Sequence, residues 1–169
     1  MGSIGSALSG SRSPNERRAM KKALIIIDMQ PYYDHNGAVS KIIDNCRREI
    51  NKAIQENIKI VFVEWEGVGS TDIRLRELVD NYQNVSIVQK DDDNGSQPII
   101  NMIGSSYNLI KVCGVNTDCC VIATVKGLLG LCYNLNIEVI GDAVNSCWYN
   151  DHLTALMKMK TLPRTKVIG

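Results

Sequence analysis

The sequence predicts an α/β protein, a parallel sheet packed between helix layers in a single domain. Three observations carry this. Apolar, β-branched runs such as Ala23-Leu24-Ile25-Ile26-Ile27 have the character of strands buried on both faces. Segments of helical periodicity separate them, and strict strand–helix alternation builds a parallel sheet through right-handed crossovers. At 169 residues, of which 44% are hydrophobic, the chain can bury one sizeable core and is too apolar for a disordered chain.

The elements follow in order. The first strand is read over 23–28. A helix over 38–56 places Val39, Ile42, Ile43, Cys46, Ile50, Ala53 and Ile54 on one face. A second strand covers 59–64, and a short helix near 72–80 turns Ile73 and Leu78 inward. The third strand lies near 85–89. Pro98 suits the first position of a short helix running to about 103. The fourth strand covers 108–113. The helix over 118–131 has Val121, Ile122, Val125, Leu128 and Leu129 inward, with Asp118 as its cap and Thr117 sharing that role. The fifth strand is 137–140, and a helix over 150–159 turns Leu153, Leu156 and Met157 inward, with His152 as a structural residue near its start. Residues 166–168 form a sixth, edge strand. No internal repeat or second domain is visible, so 21–169 reads as one domain.

Residues 1–20 are Gly/Ser-rich at their start and read as a flexible leader, derived from an expression vector, with the natural start at Met20; a native tail is the alternative. Residues 1–22 hold five basic and one acidic residue, so the formal net charge of +1 hides a mildly acidic body of 14 basic against 17 acidic residues. No basic face interleaved with aromatics is visible, which argues against nucleic-acid binding. No apolar run reaches the ~18 residues of a membrane span, and no continuous apolar segment marks a signal peptide. The six cysteines include no Cys-x-x-Cys, and His35 and His152 are the two histidines, so a zinc ribbon or finger is excluded. Cys46, Cys113, Cys132 and Cys147 fall on apolar positions and read as reduced core residues of a cytoplasmic protein.

Three strand ends carry chemistry. Asp28 closes the first strand, at the edge where open α/β sheets bind ligands, and can serve as a general base. Lys90 closes the third and begins the polar stretch Lys90-Asp91-Asp92-Asp93-Asn94-Gly95-Ser96, whose acidic run, Asp91 to Asp93, reads as a solvated loop, the alternative being a run that attracts a cationic substrate. The fourth ends in Gly114-Val115-Asn116-Thr117-Asp118-Cys119-Cys120-Val121, a tight polar turn into a helix whose first turn holds a thiol. The positive end of a helix dipole lowers a thiol's pKa, and its free N–H groups supply oxyanion donors. Residues just past strand ends are candidate substrate contacts: Tyr33, Trp65, Asn116, Cys119 and Tyr149. Asp142, past the fifth strand, reads as a turn carboxylate, and Gly67-x-Gly69 is too short for a dinucleotide fingerprint.

The segments Ile25-Ile26-Ile27-Asp28-Met29-Gln30, Lys90, Gly114 to Thr124 and Val139-Ile140-Gly141-Asp142-Ala143-Val144, in this order, resemble the isochorismatase-like cysteine hydrolases, which include nicotinamidases and N-carbamoylsarcosine amidohydrolase. The resemblance covers 21 to the C-terminus. It implies a three-layer αβα sandwich with a six-stranded parallel sheet in the order 3-2-1-4-5-6. It also implies a triad of Asp28, Lys90 and Cys120, with Cys120 rather than Cys119 as nucleophile. A cis peptide between Val115 and Asn116 is implied, with the N–H groups of Asn116 and Cys120 as the oxyanion hole. The activity implied is hydrolysis of a C–N bond in a small amide through a Cys120 thioester. A homodimer is implied as well.

Departures from the family pattern matter equally. Nicotinamidases of this family carry a metal site after strand two, built on Asp and several His. Here that stretch, Glu64-Trp65-Glu66-Gly67-Val68-Gly69-Ser70-Thr71-Asp72, has no His. The expectation is therefore a metal-independent enzyme without a cofactor. True isochorismatases cleave a vinyl ether and lack the cysteine. The alternatives are a catalytically inactive relative that binds a metabolite or protein partner, and a redox protein using the adjacent Cys119 and Cys120, which the strain of a vicinal disulfide disfavours.

Overall fold

The computed structural model describes residues 20–169; the leader read over 1–20 lies outside the described residues except for Met20. Six parallel strands form one sheet in the order β3-β2-β1-β4-β5-β6. They are β1 Lys22–Ile27, β2 Lys59–Trp65, β3 Val85–Lys90, β4 Leu109–Val115, β5 Asn136–Asn145 and β6 Thr165–Ile168. The helices are α1 Ile43–Gln55, α2 Ile73–Arg76, α3 Ser96–Ile103, α4 Ile122–Leu131 and α5 Tyr149–Lys160. The predicted class, layers and strand order are those found.

β1 is buried on both sides because its alternate residues feed two different cores. Ile25, Ile27, Val61, Val63, Val112 and Val139 face one, closed by Ile99, Val125, Leu128 and Met159. Leu24, Ile26, Ile60 and Phe62 face the other, closed by Val39, Cys46, Ile50 and Leu75. A continuous apolar strand is what two covered faces demand. β1 and β4 are neighbours at the point where strand order reverses, and Gly114 (φ +119°) makes their approach possible. A Cβ there would run into the main-chain oxygen of Ile27.

The structure corrects several element limits. The helix predicted from 38 begins at Ile43, since Asn36 (φ 53°) and Gly37 (φ 71°) turn the chain, and Asp34 Oδ1 accepts the N–H groups of Val39 (2.9 Å) and Ser40 (2.8 Å). The segment read as one helix over 72–80 splits into α2 and a 3₁₀ turn, Glu77–Val79. Its buried residues are Leu75 and Val79, while Ile73 faces outward. α3 starts two residues before Pro98, which still falls in the first turn where its missing N–H costs nothing. β5 runs on to Asn145, with a register shift against β4 between Val112 and Gly114. In α5, Ala155 and Met159 are buried and Leu156 packs on the core, while Leu153 and Met157 are exposed. Among the described residues no helix is long and apolar enough to cross a membrane.

Candidate active site

The carboxyl ends of β1, β3 and β4 bring Asp28, Lys90 and Cys120 together, each at most 3% exposed. Asp28 follows β1 with its N–H still bonded to Val63 O (2.9 Å), so the first ladder extends one residue beyond the strand. Its φ of 49° then turns the chain. Lys90 ends β3 beside Trp65 of β2. Its ammonium reaches past that strand to Asp28 Oδ2 (3.0 Å), donates to Asp92 O (3.0 Å) and lies 4.1 Å from the centre of the Trp65 ring. Three partners of this kind offset the cost of burying an ammonium. Beyond that ion pair, the Asp28 carboxylate accepts no hydrogen bond among the described residues.

Cys120 sits not in the first turn of a regular helix but in a π turn, Thr117–Val121, closed by Val121 N–H on Asn116 O (3.0 Å). The wider turn leads into α4. The peptide Val115–Asn116 is cis. Asp118 does not cap the helix: its Oδ1 accepts from Ser146 Oγ (2.5 Å), and its own N–H points to the same hydroxyl (3.3 Å). Thr117 Oγ1 meets His152 Nδ1 (3.0 Å), so His152 braces this turn from α5, and burial holds its imidazole below the usual range.

The electrostatics reverse one expectation. Burial first, and then the Asp28 charge, push the Cys120 thiol up rather than down, and Asp93 adds to the effect while Lys90 opposes it. Burial also raises Asp28 above the ordinary carboxylate range, against the pull of Lys90 and Cys120. A thiol and a carboxylate that both favour their protonated forms, placed against one ammonium, suit a proton passed between them better than a permanent thiolate.

The loop after Lys90 forms a roof. The acidic run is exposed, as a solvated loop would be, and within it Asp93 Oδ1 also accepts from Cys120 Sγ (3.5 Å). Thr124 Oγ1 of α4 donates to Asp93 O (3.4 Å) and accepts Gly95 N–H (2.9 Å), tying the roof to the helix that follows the thiol. Thr124 and Gln30 are site neighbours to which sequence reasoning gave no role, whereas Asp93 was read with its acidic run and His152 as a structural residue, which its bond to Thr117 makes it. The Gln30 amide clamps the loop after β2, donating to Trp65 O (3.0 Å) and Gly69 O (2.5 Å) and accepting Trp65 N–H (2.8 Å).

The candidate substrate residues divide. Trp65 is half-buried against Lys90. Tyr33 is half-buried with its phenol pushed up to about 12 by burial and then by Asp28, Cys120, Tyr32 and Asp93, which places it at the same site. Asn116 is half-buried, with Cys147 Sγ 3.8 Å from its Oδ1. Cys119 is exposed next to Asp118 (3.8 Å). Tyr149 begins α5 and is 72% exposed, and nothing links it to the triad. Asp142 lies within β5 and pairs with Arg48 through two hydrogen bonds (2.9 and 2.8 Å).

The stretch after β2 does not fit a metal. Glu64 Oε1 accepts Thr71 N–H (2.7 Å) and lies 3.7 Å from Arg76, and Asp72 is held on both oxygens by Arg74 (2.9 and 2.7 Å). These carboxylates are balanced by arginines, and among the described residues no group of three or more His, Cys, Asp or Glu is placed to hold a metal, whereas zinc takes His or Cys donors with its carboxylates.

The family model for the isochorismatase domain matches residues 22–168. Similar solved structures include a MAR1 ribonuclease from Caenorhabditis elegans, with 25% identity, a TM-score of 0.79, and coverage of 88% of this chain and 77% of that one. A nicotinamidase from Staphylococcus aureus matches at 23% identity and a TM-score of 0.75, covering 88% and 98%. A pyrazinamidase of Pyrococcus horikoshii in complex with zinc matches at 22% identity and 0.69, covering 88% and 98%. Among curated proteins none matches significantly.

Proposed function

The chain belongs to the isochorismatase family, and within it we propose a metal-independent cysteine amidohydrolase that cleaves a C–N bond of a small amide. The observation that supports this above all is the buried Asp28–Lys90 ion pair set against the Cys120 thiol. Asp28 takes the thiol proton as sulfur attacks the carbonyl carbon and so becomes neutral, and Lys90 holds the charge balance between the two groups. The N–H groups of Asn116 and Cys120 receive the oxyanion, each contributing about 10²–10³ in rate. Asp28 returns its proton to the nitrogen, the amine leaves, and a thioester remains on Cys120. Water, deprotonated by Asp28, hydrolyses it and restores the thiol.

Ammonia release from a panel of small amides tests this, with Cys120→Ala alongside. The expected result is turnover by the wild type that falls by about 10³-fold or more in the variant, together with an acyl adduct on Cys120 in rapidly quenched samples. Turnover retained in Cys120→Ala overturns the mechanism. A wild type that releases nothing from any amide favours the alternative of a catalytically inactive protein that binds a metabolite or protein partner. The ribonuclease among the similar structures makes RNA a necessary control. An acidic loop over the nucleophile and a mildly acidic body disfavour a polyanion.

A further inference from the structure

We propose that Asp93 makes this site selective for small amides that carry a positive charge next to the scissile carbonyl, through a carboxylate that lies on the Cys120 thiol and that no cation among the described residues engages. The inference rests on the amidohydrolase reading and names its substrate class.

Three charged side chains surround the thiol. Asp28 and Asp93 both act on Cys120, and Lys90 is the cation that opposes them. Lys90 is spent: its ammonium is divided among Asp28, the carbonyl of Asp92 and the Trp65 ring. No salt bridge among the described residues involves Asp93. Deeper in the site, Asp28 is completely buried and has an unfilled acceptor. With Lys90 already held by Asp28, the carboxylate of Asp93 has no cation as partner among the described residues. Tyr33, at the same site, stays neutral with its phenol at about 12 and cannot balance it either.

Geometry then sets where the balancing charge must sit. A carbonyl carbon in position for attack stands about 3–3.5 Å from sulfur. Asp93 Oδ1 is itself 3.5 Å from that sulfur, so it lies within reach of a group one or two bonds beyond the carbonyl. The main chain of the loop is pinned, Thr124 Oγ1 donating to the Asp93 carbonyl (3.4 Å) and accepting the Gly95 N–H (2.9 Å), which sets the carboxylate above the thiol. An ammonium on the substrate would take over Asp93 and remove the acceptor that competes for the thiol proton. The proton then has Asp28 as its acceptor, so binding the right charge and preparing the nucleophile become one event.

Three amides of nearly equal size separate the charges: glycinamide (cationic at neutral pH), propionamide (neutral) and malonamate (anionic). The wild type is expected to favour glycinamide over propionamide by about 10-fold or more in kcat/KM, with malonamate last. In Asp93→Asn the preference is expected to fall below about 3-fold, whereas Asp91→Asn, which removes a charge from the same exposed loop but not the one on the thiol, moves it by less than about 2-fold. An unchanged preference in Asp93→Asn, or a wild type that prefers the neutral or anionic amide, overturns the proposal. A second readout needs no turnover: the rates at which cationic 2-aminoethyl and anionic 2-sulfonatoethyl methanethiosulfonate modify Cys120, followed by peptide mapping. The cation-to-anion ratio is expected to drop about 10-fold in Asp93→Asn. If no amide is hydrolysed and that ratio still drops, the amidohydrolase reading fails and the charge selection by Asp93 stands. A ratio that does not move overturns the proposal whatever the amides do.

Discussion

Cys120 shows how far a residue's neighbours can override its position. A thiol at a helix start reads as acidic, and this one is pushed the other way by burial and two carboxylates. The consequence separates reactivity from catalysis. Alkylation by iodoacetamide needs only the thiolate, whereas turnover needs Asp28 to receive and return a proton. In the wild type, the midpoint for Cys120 alkylation is expected above the ordinary thiol value. In Asp28→Asn it should move down, giving faster labelling at pH 8, while amide turnover is lost; a midpoint that stays or rises would show that Asp28 does not govern the thiol. Asp28, Lys90 and Cys120 were legible as neighbours because each lies at the carboxyl end of a strand or in the turn just beyond it, and strand ends converge in this architecture. Asp93 was not, because a run of aspartates has the sequence signature of a solvated loop. Its contact with the thiol exists only once the loop folds back over β1 and is pinned by Thr124.

Secondary-structure elements were legible where apolar period and length agreed, and less so where local chemistry ended them. All six strands follow from their apolar runs. The start of α1 is set by the left-handed residues Asn36 and Gly37 and by the Asp34 cap, a turn that apolar periodicity runs straight through. The exposed faces of α2 and α5 carry Ile73, Leu153 and Met157, so apolar identity alone misplaced them. The pairing of α3 with α4 has a sharper logic. A Cβ at Gly127 would collide with Ser96 Oγ and Asn94 Oδ1 and come within 2.7 Å of Asn94 Nδ2. Those two residues shape the roof, Asn94 Oδ1 accepting Ser96 N–H (3.0 Å). Gly127→Ala is therefore expected to cost about 1–3 kcal/mol in denaturant unfolding and to raise KM by displacing the roof. A variant as stable and as active as the wild type would show that α3 and α4 can part without disturbing it.

Across the whole molecule, the central strands and the edges do different work. β1 and β4 lie inside the sheet with cores on both faces, and β6 is a short edge strand, half-exposed. Native-state hydrogen exchange is expected to release the β1 and β4 amides only through global unfolding, and those of β6 through local opening at far lower free energy. Equal protection in β4 and β6 would contradict this layout. The reactive ends of the strands therefore stand on the most rigid part of the fold, and the parts able to move are the loops above them. One of those loops is fastened from below by the Lys90 ammonium, which touches the floor at Asp28 and the roof at Asp92 and is 3% exposed. That makes the amine a built-in gauge of assembly. Reductive methylation should mark the surface lysines and pass over Lys90 while the roof is down, so the appearance of a dimethyl label at that one position would time each opening of the site.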